Sequence, residues 1–428
     1  MRTPGPCDDV AAMIREPRRN RPPAPLLAIV AALAAALASA PARAGEPAPL
    51  AERVAAAQKL VEEVRGAKFR GPIASALLPE KELGEVLGRK LVEDLPAPFD
   101  AYAASLAAIG LIEPSPDLLR RLERLYARQV VGFYDPAEKK FFVVPERTRD
   151  AGGPAGELME QILLAHELTH ALQDERLGLD RRMKALGDST DALLALQAFL
   201  EGEATIVMTD ALLASVPEEA REALGGDPLA QVLDGLGETA AVDGSDGVPE
   251  FFVEELVFPY ARGTAWVREK RLSGGWRAVD AAYASPPSTT REILRPGVKL
   301  PPRRRLSPAD RPDPGRLGTG HEAAWADTLG EWVLGLLLGR AGSDEVEAEA
   351  VAAGWQDDRV VFLVPKGAPA GDGVGFLWRI RASSPAAAAR IGSLLAPLYD
   401  GRSGARRPSV SVRRDVVEVS LRAAGPAR

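Results

Sequence analysis

The side chains best suited to chemistry lie in one stretch, Leu164-Ala165-His166-Glu167-Leu168-Thr169-His170-Ala171-Leu172. The chain has three histidines, and two of them are here. His166 and His170 are four residues apart, which on a helix puts them on one face with Cβ atoms roughly 5–6 Å apart. From that face both imidazoles reach one zinc ion at about 2.0–2.1 Å. Glu167 points to a neighbouring sector, from which its carboxylate takes a proton from zinc-bound water without displacing a ligand. Histidines that only satisfied local hydrogen bonds would need no glutamate at this spacing.

The flanks predict burial. Leu158, Ile162, Leu163, Leu164, Leu168, Ala171 and Leu172 surround the helix with apolar groups, and a helix that is apolar all round is buried. Two buried imidazoles and a carboxylate then need a partner, since unpaired polar groups cost several kcal/mol. A catalytic zinc takes three protein ligands, and the third has three candidates: Glu201, Glu203 and His321. Both glutamates sit in an apolar helix that starts near Ser189-Thr190-Asp191 and runs to about Leu213. Two residues apart, they face different sectors, so at most one binds the ion directly. The other is placed to hold a histidine ring from behind, and Gly202 between them allows the two helices to approach closely. His321 follows a proline-rich segment, where a surface or capping histidine is the plainer reading and the loop a less rigid source of ligand.

The elements that must position these groups are read from periodicity and breakers. Amphipathic helices are expected over 51–65, from 79 towards 95, over 99–109 and over 116–128. The period then changes, and 129–134 and 139–144 read as a hairpin around Asp135-Pro136. An exposed edge there would hold an extended peptide by strand addition; a plain hairpin packed on the histidine helix is the equal alternative. That helix is expected over about 156–176. Residues 215–250 read as short helices and loop, and helix returns over 252–271. Beyond the proline-rich segment come a helix over 322–340, strands at 359–364, 375–381, 409–413 and 415–421, and a helix over 385–399. The fold class expected is α+β and mostly helical. Residues 45–300 form a catalytic domain whose N-terminal part is helical, 301–316 a linker, and 317–428 a small C-terminal α+β unit.

The N-terminus reads as a leader. Arg15, Arg18, Arg19 and Arg21 precede an apolar stretch over 26–38, and Ala42-Arg43-Ala44 supplies a small-residue cleavage site. Cleavage after Ala44 would send residues 45–428 to the periplasm or the exterior with no stable membrane span; a signal-anchored form is the alternative. Cys7, the sole cysteine, lies in the leader, so the mature chain relies on its core, and its 384 residues suffice for one. Removing the leader takes away six arginines and three acids and moves the formal charge from −7 to −10. So acidic a chain is a poor binder of nucleic-acid phosphates.

His166 to Glu175 (HELTHALQDE) followed by LEGEA over 200–204 resembles the gluzincin type of zincin metallopeptidase. In that family a glutamate on a later helix completes the ligand set. The resemblance implies a zincin-like catalytic domain, Glu201 as third ligand of one Zn²⁺ ion and Glu203 as the residue behind it, at a longer spacing than the aminopeptidase branch shows. A wider resemblance, to a group of exported, poorly characterised bacterial HExxH proteins, rests on VVGFYDP (130–136), FPYARGTAWV (258–267), GGW (274–276), PPSTTREIL (286–294) and AAGWQDDR (352–359). That group commonly has a histidine in a Leu-His-Pro context where this chain has Leu294-Arg295-Pro296. It also has two glycines where this chain has Gln356-Asp357, a change expected to bear on turn shape.

These readings converge on an exported peptidase acting on peptide or protein substrates. Glu167 is the general base, and Tyr260 is the candidate for stabilising the oxyanion. The competing reading is a metal-stabilised envelope binding or assembly protein that keeps the fold without catalysis.

Overall fold

The computed structural model describes residues 48–93, 95–148, 154–215, 245–313, 315, 320–367, 369, 371–400 and 407–424. The leader with Cys7, most of the 215–250 segment and the side chain of Leu158 lie outside the described residues. The first half contains helices α1 (Leu50–Arg65), α2 (Glu80–Glu93), α3 (Phe99–Ile109) and α4 (Leu118–Gln129) and strand β1 (Ala74–Leu77). The expected hairpin follows as β2 (Gly132–Asp135) and β3 (Lys140–Val143), then the short helix α5 (Pro145–Thr148). Asp135 closes the hairpin turn by accepting from the N–H groups of Ala137 and Glu138 at 2.8 and 3.2 Å. β1 adds in parallel to the other side of β3, so the small sheet runs β1-β3-β2 with β1 and β2 as its edges. Nothing in Ala74-Ser75-Ala76-Leu77 marks a strand locally; pairing with β3 makes it one.

Next come α6 (Pro154–Leu177), α7 (Leu179–Ala185), α8 (Thr190–Ser215), α9 (Glu250–Ala284) and α10 (Thr290–Ile293). α8 is long and apolar enough to cross a membrane by length and composition, but 72% of its most apolar window is buried in this fold. Its closest neighbour is α9. A Cβ on Gly202 would meet the backbone of Gly263 at 2.3 Å, and one on Gly263 would meet the carbonyl of Ala198 at 1.9 Å. Gly202 therefore serves the contact with α9 rather than the expected approach of the histidine helix. α9 runs past its expected end at 271 and is kinked where Gly274 and Gly275 leave helical geometry.

The last part holds β4 (His321–Asp327), α11 (Gly330–Arg340), α12 (Glu345–Ala352), β5 (Trp355–Pro365), β6 (Gly375–Ala382), α13 (Pro385–Asp400), β7 (Ser409–Arg413) and β8 (Val416–Leu421). These strands form an antiparallel sheet in the order β4-β5-β6-β8-β7. The helix expected over 322–340 begins only at Gly330, because 321–327 pairs with β5 from His321↔Pro365 to Asp327↔Val360. Glutamate and three alanines favour helix locally, and the sheet partner overrides them.

Trp355, Phe362, Phe376 and Trp378 of the sheet share one apolar cluster with Leu337 of α11, Leu395 of α13, Ile109 of α3, Leu122 of α4 and Phe251 of α9. The C-terminal sheet and the N-terminal helices are thus built on a common core. The described structure is α+β and mostly helical.

Three buried aspartates tie the sheet, the start of α11, the start of α8 and α10 to one another. Asp358 accepts from the N–H groups of Leu329 and Gly330 and from the indoles of Trp355 and Trp378, at 2.8–3.0 Å. Asp327 accepts from the backbone and hydroxyl of Thr190, and Asp191 from those of Thr290. In this way the start of α8 is tied to both β4 and α10. Gln356 and Asp357 accept from the backbone N–H groups of Arg304 and Leu306, where the β5–β6 register shifts between Trp355 and Asp357.

Candidate metal centre

α6 sits in the interior as its pattern predicts, with Leu164, Ala165, Leu168, Ala171 and Leu172 all buried. That seating puts His166 and His170 side by side, their rings 5.0 Å apart and edge to face. α8 crosses α6 and brings in Glu201. Oε2 of Glu201 lies 3.1 Å from Nε2 of His166 and 3.5 Å from Nε2 of His170. One ligand atom from each of the three falls within 4.8 Å of the others, and the group could hold a metal ion. The three side chains are 10–21% exposed, so the group is sheltered but reachable from solvent.

The hydrogen bonds around His170 decide its protonation pattern. The amide nitrogen of Gln173 donates to the Leu200 carbonyl and to Glu203, both at 2.9 Å. The amide oxygen must then face His170, whose Nδ1 lies 2.8 Å away. An amide oxygen only accepts, so Nδ1 carries the proton and Nε2 is left to face the Glu201 carboxylate. A lone pair opposite a carboxylate needs a cation between them: a proton, making imidazolium, or a metal ion. Burial pulls the His170 pKa down, but the charge and hydrogen bond of Glu201, the charge of Glu167 and the Gln173 contact raise it to about 9. Burial opposes ionisation of Glu201 too, and the two histidines more than offset it, holding that carboxyl well below its ordinary range. Donors held about 2.0–2.2 Å from one ion lie on the order of 3–3.5 Å from each other, which the two separations from Glu201 match. The residues present therefore fit a metal ion.

Glu167 lies beside this group without joining it. Its Oε2 accepts from the backbone N–H of Tyr134 in β2 at 3.2 Å. Burial raises its pKa, with a smaller rise from the Glu201 charge, against the lowering effect of both histidines and the Tyr134 contact. Tyr260 of α9 is also at the site, its ring 6.2 Å from that of His166 and nearly parallel to it. The Glu201 charge, burial, the Glu167 charge and a hydrogen bond to Glu201 together push its hydroxyl pKa well above the ordinary value.

Glu203 is fully buried and faces away from the donors. It accepts from Arg65 Nε at 2.6 Å, from Gln173 and from the Tyr283 hydroxyl. Arg65 is itself buried, packs over the Trp276 ring and donates to Asp280 at 2.6 Å. Glu203 thus reaches His170 through Gln173, a residue the sequence reading passed over along with Arg65, Tyr134 and Tyr283. A polar residue three positions after His170 was the available signal for Gln173, and Tyr134 lies in the VVGFYDP segment; nothing local marked Arg65 or Tyr283.

His321 starts β4, where its Nε2 contacts the carbonyl of Ala424 at 3.1 Å, and it is not among the grouped donors. Arg295, at the position of the expected histidine, pairs with Glu331 and also stands outside that group.

No family model matches this chain, and no curated protein matches it. Among solved structures, it is similar to a protein from Chloroflexus aurantiacus described as a "putative hydrolase with a novel fold". The identity is 17%, the TM-score 0.38, and the likeness covers 64% of this chain and 96% of that one. A likeness that slight carries nothing about function.

Proposed function

We propose that this chain is a zinc-dependent peptidase acting outside the cytoplasm. The observation that carries the reading is a half-buried carboxylate, Glu167, next to the His166, His170 and Glu201 donors and held by the edge-strand N–H of Tyr134. Zinc is the ion proposed because two imidazoles and a carboxylate are a donor set that catalytic zinc takes. When bound, the ion supplies Lewis acidity towards a carbonyl and lowers the pKa of water. His166, His170 and Glu201 hold it, and Gln173 and Glu203 keep the His170 ring in register.

Glu167 is the general base. Burial raises its proton affinity, which suits a group that takes a proton from water and returns it to the leaving amine. Tyr260, whose hydroxyl hydrogen-bonds Glu201, is the candidate O–H donor for charge developing on the carbonyl oxygen. β2 is an edge strand, and its Tyr134 N–H turns towards α6 rather than β3. The proposed place for an extended peptide, added as a further strand, is the outer rim of β2, beside the Tyr134 N–H that Glu167 engages. The leader at 1–44 would deliver the chain to the periplasm or the exterior.

The test is metal analysis of the purified chain together with a peptide-library digest by the wild type and Glu167→Gln. One zinc per chain in both proteins, with cleavage by the wild type alone, is the expected result. Cleavage by the variant, or a chain with no affinity for zinc, overturns the reading.

A further inference from the structure

A cavity of about 610 Å³ lies between α9 and the segment 289–303, and none of His166, Glu167, His170, Glu201 or Tyr260 lines it. Five cationic side chains line it, Lys270, Arg291, Arg295, Lys299 and Arg303, against two carboxylates, Glu269 and Glu292. Glu292 is already engaged, accepting from Ser288 and from the Thr289 hydroxyl at 3.0–3.1 Å. Arg295 pairs with Glu331, and Arg303 faces Asp357 at 3.8 Å.

Arg291 stands apart. It is 6% exposed, and its Nε and Nη1 have no hydrogen-bond partner among the described residues. The charges of Glu331 and Glu292 favour its cationic form, but burial outweighs them, and Arg295 and Arg303 add like charge, so its pKa falls below the ordinary value. A buried guanidinium short of acceptors is destabilising, and an anion in the cavity that Arg291 lines offsets its charge.

We propose that this cavity is a phosphate-binding site anchored by Arg291. A phosphate monoester carries about −1.5 to −2 charges at neutral pH, which answers several cations better than a carboxylate does. Arginine also matches its oxygens in geometry. The volume falls within the roughly 300–1,000 Å³ of small-molecule sites and exceeds what a bare phosphate fills. Trp266, Val298 and Leu300 supply apolar wall for an organic body. The proposal does not depend on the peptidase reading, because it uses none of that site's residues.

The experiment is calorimetric titration of the full chain with inorganic phosphate and with glycerol 3-phosphate, at fixed ionic strength, with acetate as the control. Saturable 1:1 binding of phosphate and none of acetate is expected. Tighter binding of glycerol 3-phosphate identifies an ester as the ligand, and equal binding identifies the free ion. Arg291→Gln should weaken binding about tenfold or more, near 1.4 kcal/mol. Should that variant fail to fold, Arg303→Gln, at a less buried wall position, should weaken it severalfold. A wild type that takes up no phosphate saturably, or affinity unchanged in the variants that fold, overturns the proposal.

Discussion

Gln173 donates to Glu203 at 2.9 Å and in doing so turns its amide oxygen onto Nδ1 of His170. One buried glutamate on α8 thereby sets the tautomer of a histidine on α6 that it never touches. The chain from Arg65 through Glu203 and Gln173 to His170 joins α1, α8 and α6.

Gln173→Leu keeps the volume and removes the acceptor. Glu203 retains Arg65 and Tyr283, so the fold should hold. The His170 ring loses its only Nδ1 contact among the described residues. Zinc affinity should drop about 10- to 100-fold, as for other residues that orient metal ligands. Competition against a chromophoric chelator measures it, and an unchanged affinity would show that Gln173 does not orient the ring.

Glu201 and Glu203 are two residues apart and should fail in opposite ways. Glu201→Ala removes a donor that is 21% exposed, so metal uptake should be lost, with a smaller stability loss than Glu203→Ala. Glu203→Ala leaves Arg65 buried beside an empty space, and breaking a buried ion pair costs about 3–5 kcal/mol. Urea unfolding of the two metal-free variants separates the roles. Equal stability loss in both would sink the distinction.

The site was legible where one side chain's chemistry sufficed. The spacing of His166, Glu167 and His170 needs only the geometry of a single helix, and Glu201 and Glu203 both stood out as carboxylates in an apolar run, with the family resemblance choosing Glu201. What was not legible depends on distant partners. Arg65 reads as an ordinary helix-end arginine, and nothing near it announces Glu203 138 positions later. Asp191, Asp327 and Asp358 look like caps and turn residues until the sheet closes on α8. The strand at 321–327 failed for the same reason: its local propensity is helical, and β5 decides otherwise. The later strands and α13 were read closely because alternation or amphipathic spacing marked them locally.

Gly202→Ala sets helix propensity against sterics. Alanine is favoured over glycine in a helix by about 1 kcal/mol. Here its Cβ would sit 2.3 Å from both the carbonyl carbon and oxygen of Gly263, and backbone cannot rotate away. Separating α8 from α9 costs at least the roughly 1–3 kcal/mol of overpacking, so the variant should melt lower than the wild type. Gly339→Ala on α11 meets nothing within 4 Å and should melt slightly higher. A Gly202→Ala protein as stable as Gly339→Ala would refute the backbone contact.

Stability should fall as pH rises through neutrality. Burial raises the Asp191 carboxyl to about 7, with help from the Asp358 charge and against the Thr290 hydrogen bonds and the Arg303 charge. Burial likewise raises Asp327 to about 7. Each acid is raised above its unfolded value of 3.8, so the folded chain keeps protons that the unfolded chain has released. The stabilisation is fully present below about pH 4 and is lost as pH climbs through 7. Asp191→Asn keeps an acceptor for Thr290 and removes the titration. Relative to the wild type, the variant should gain stability between pH 5 and pH 8. Chemical unfolding at several pH values measures this, and a difference between the two proteins that stays constant with pH would contradict the assignment.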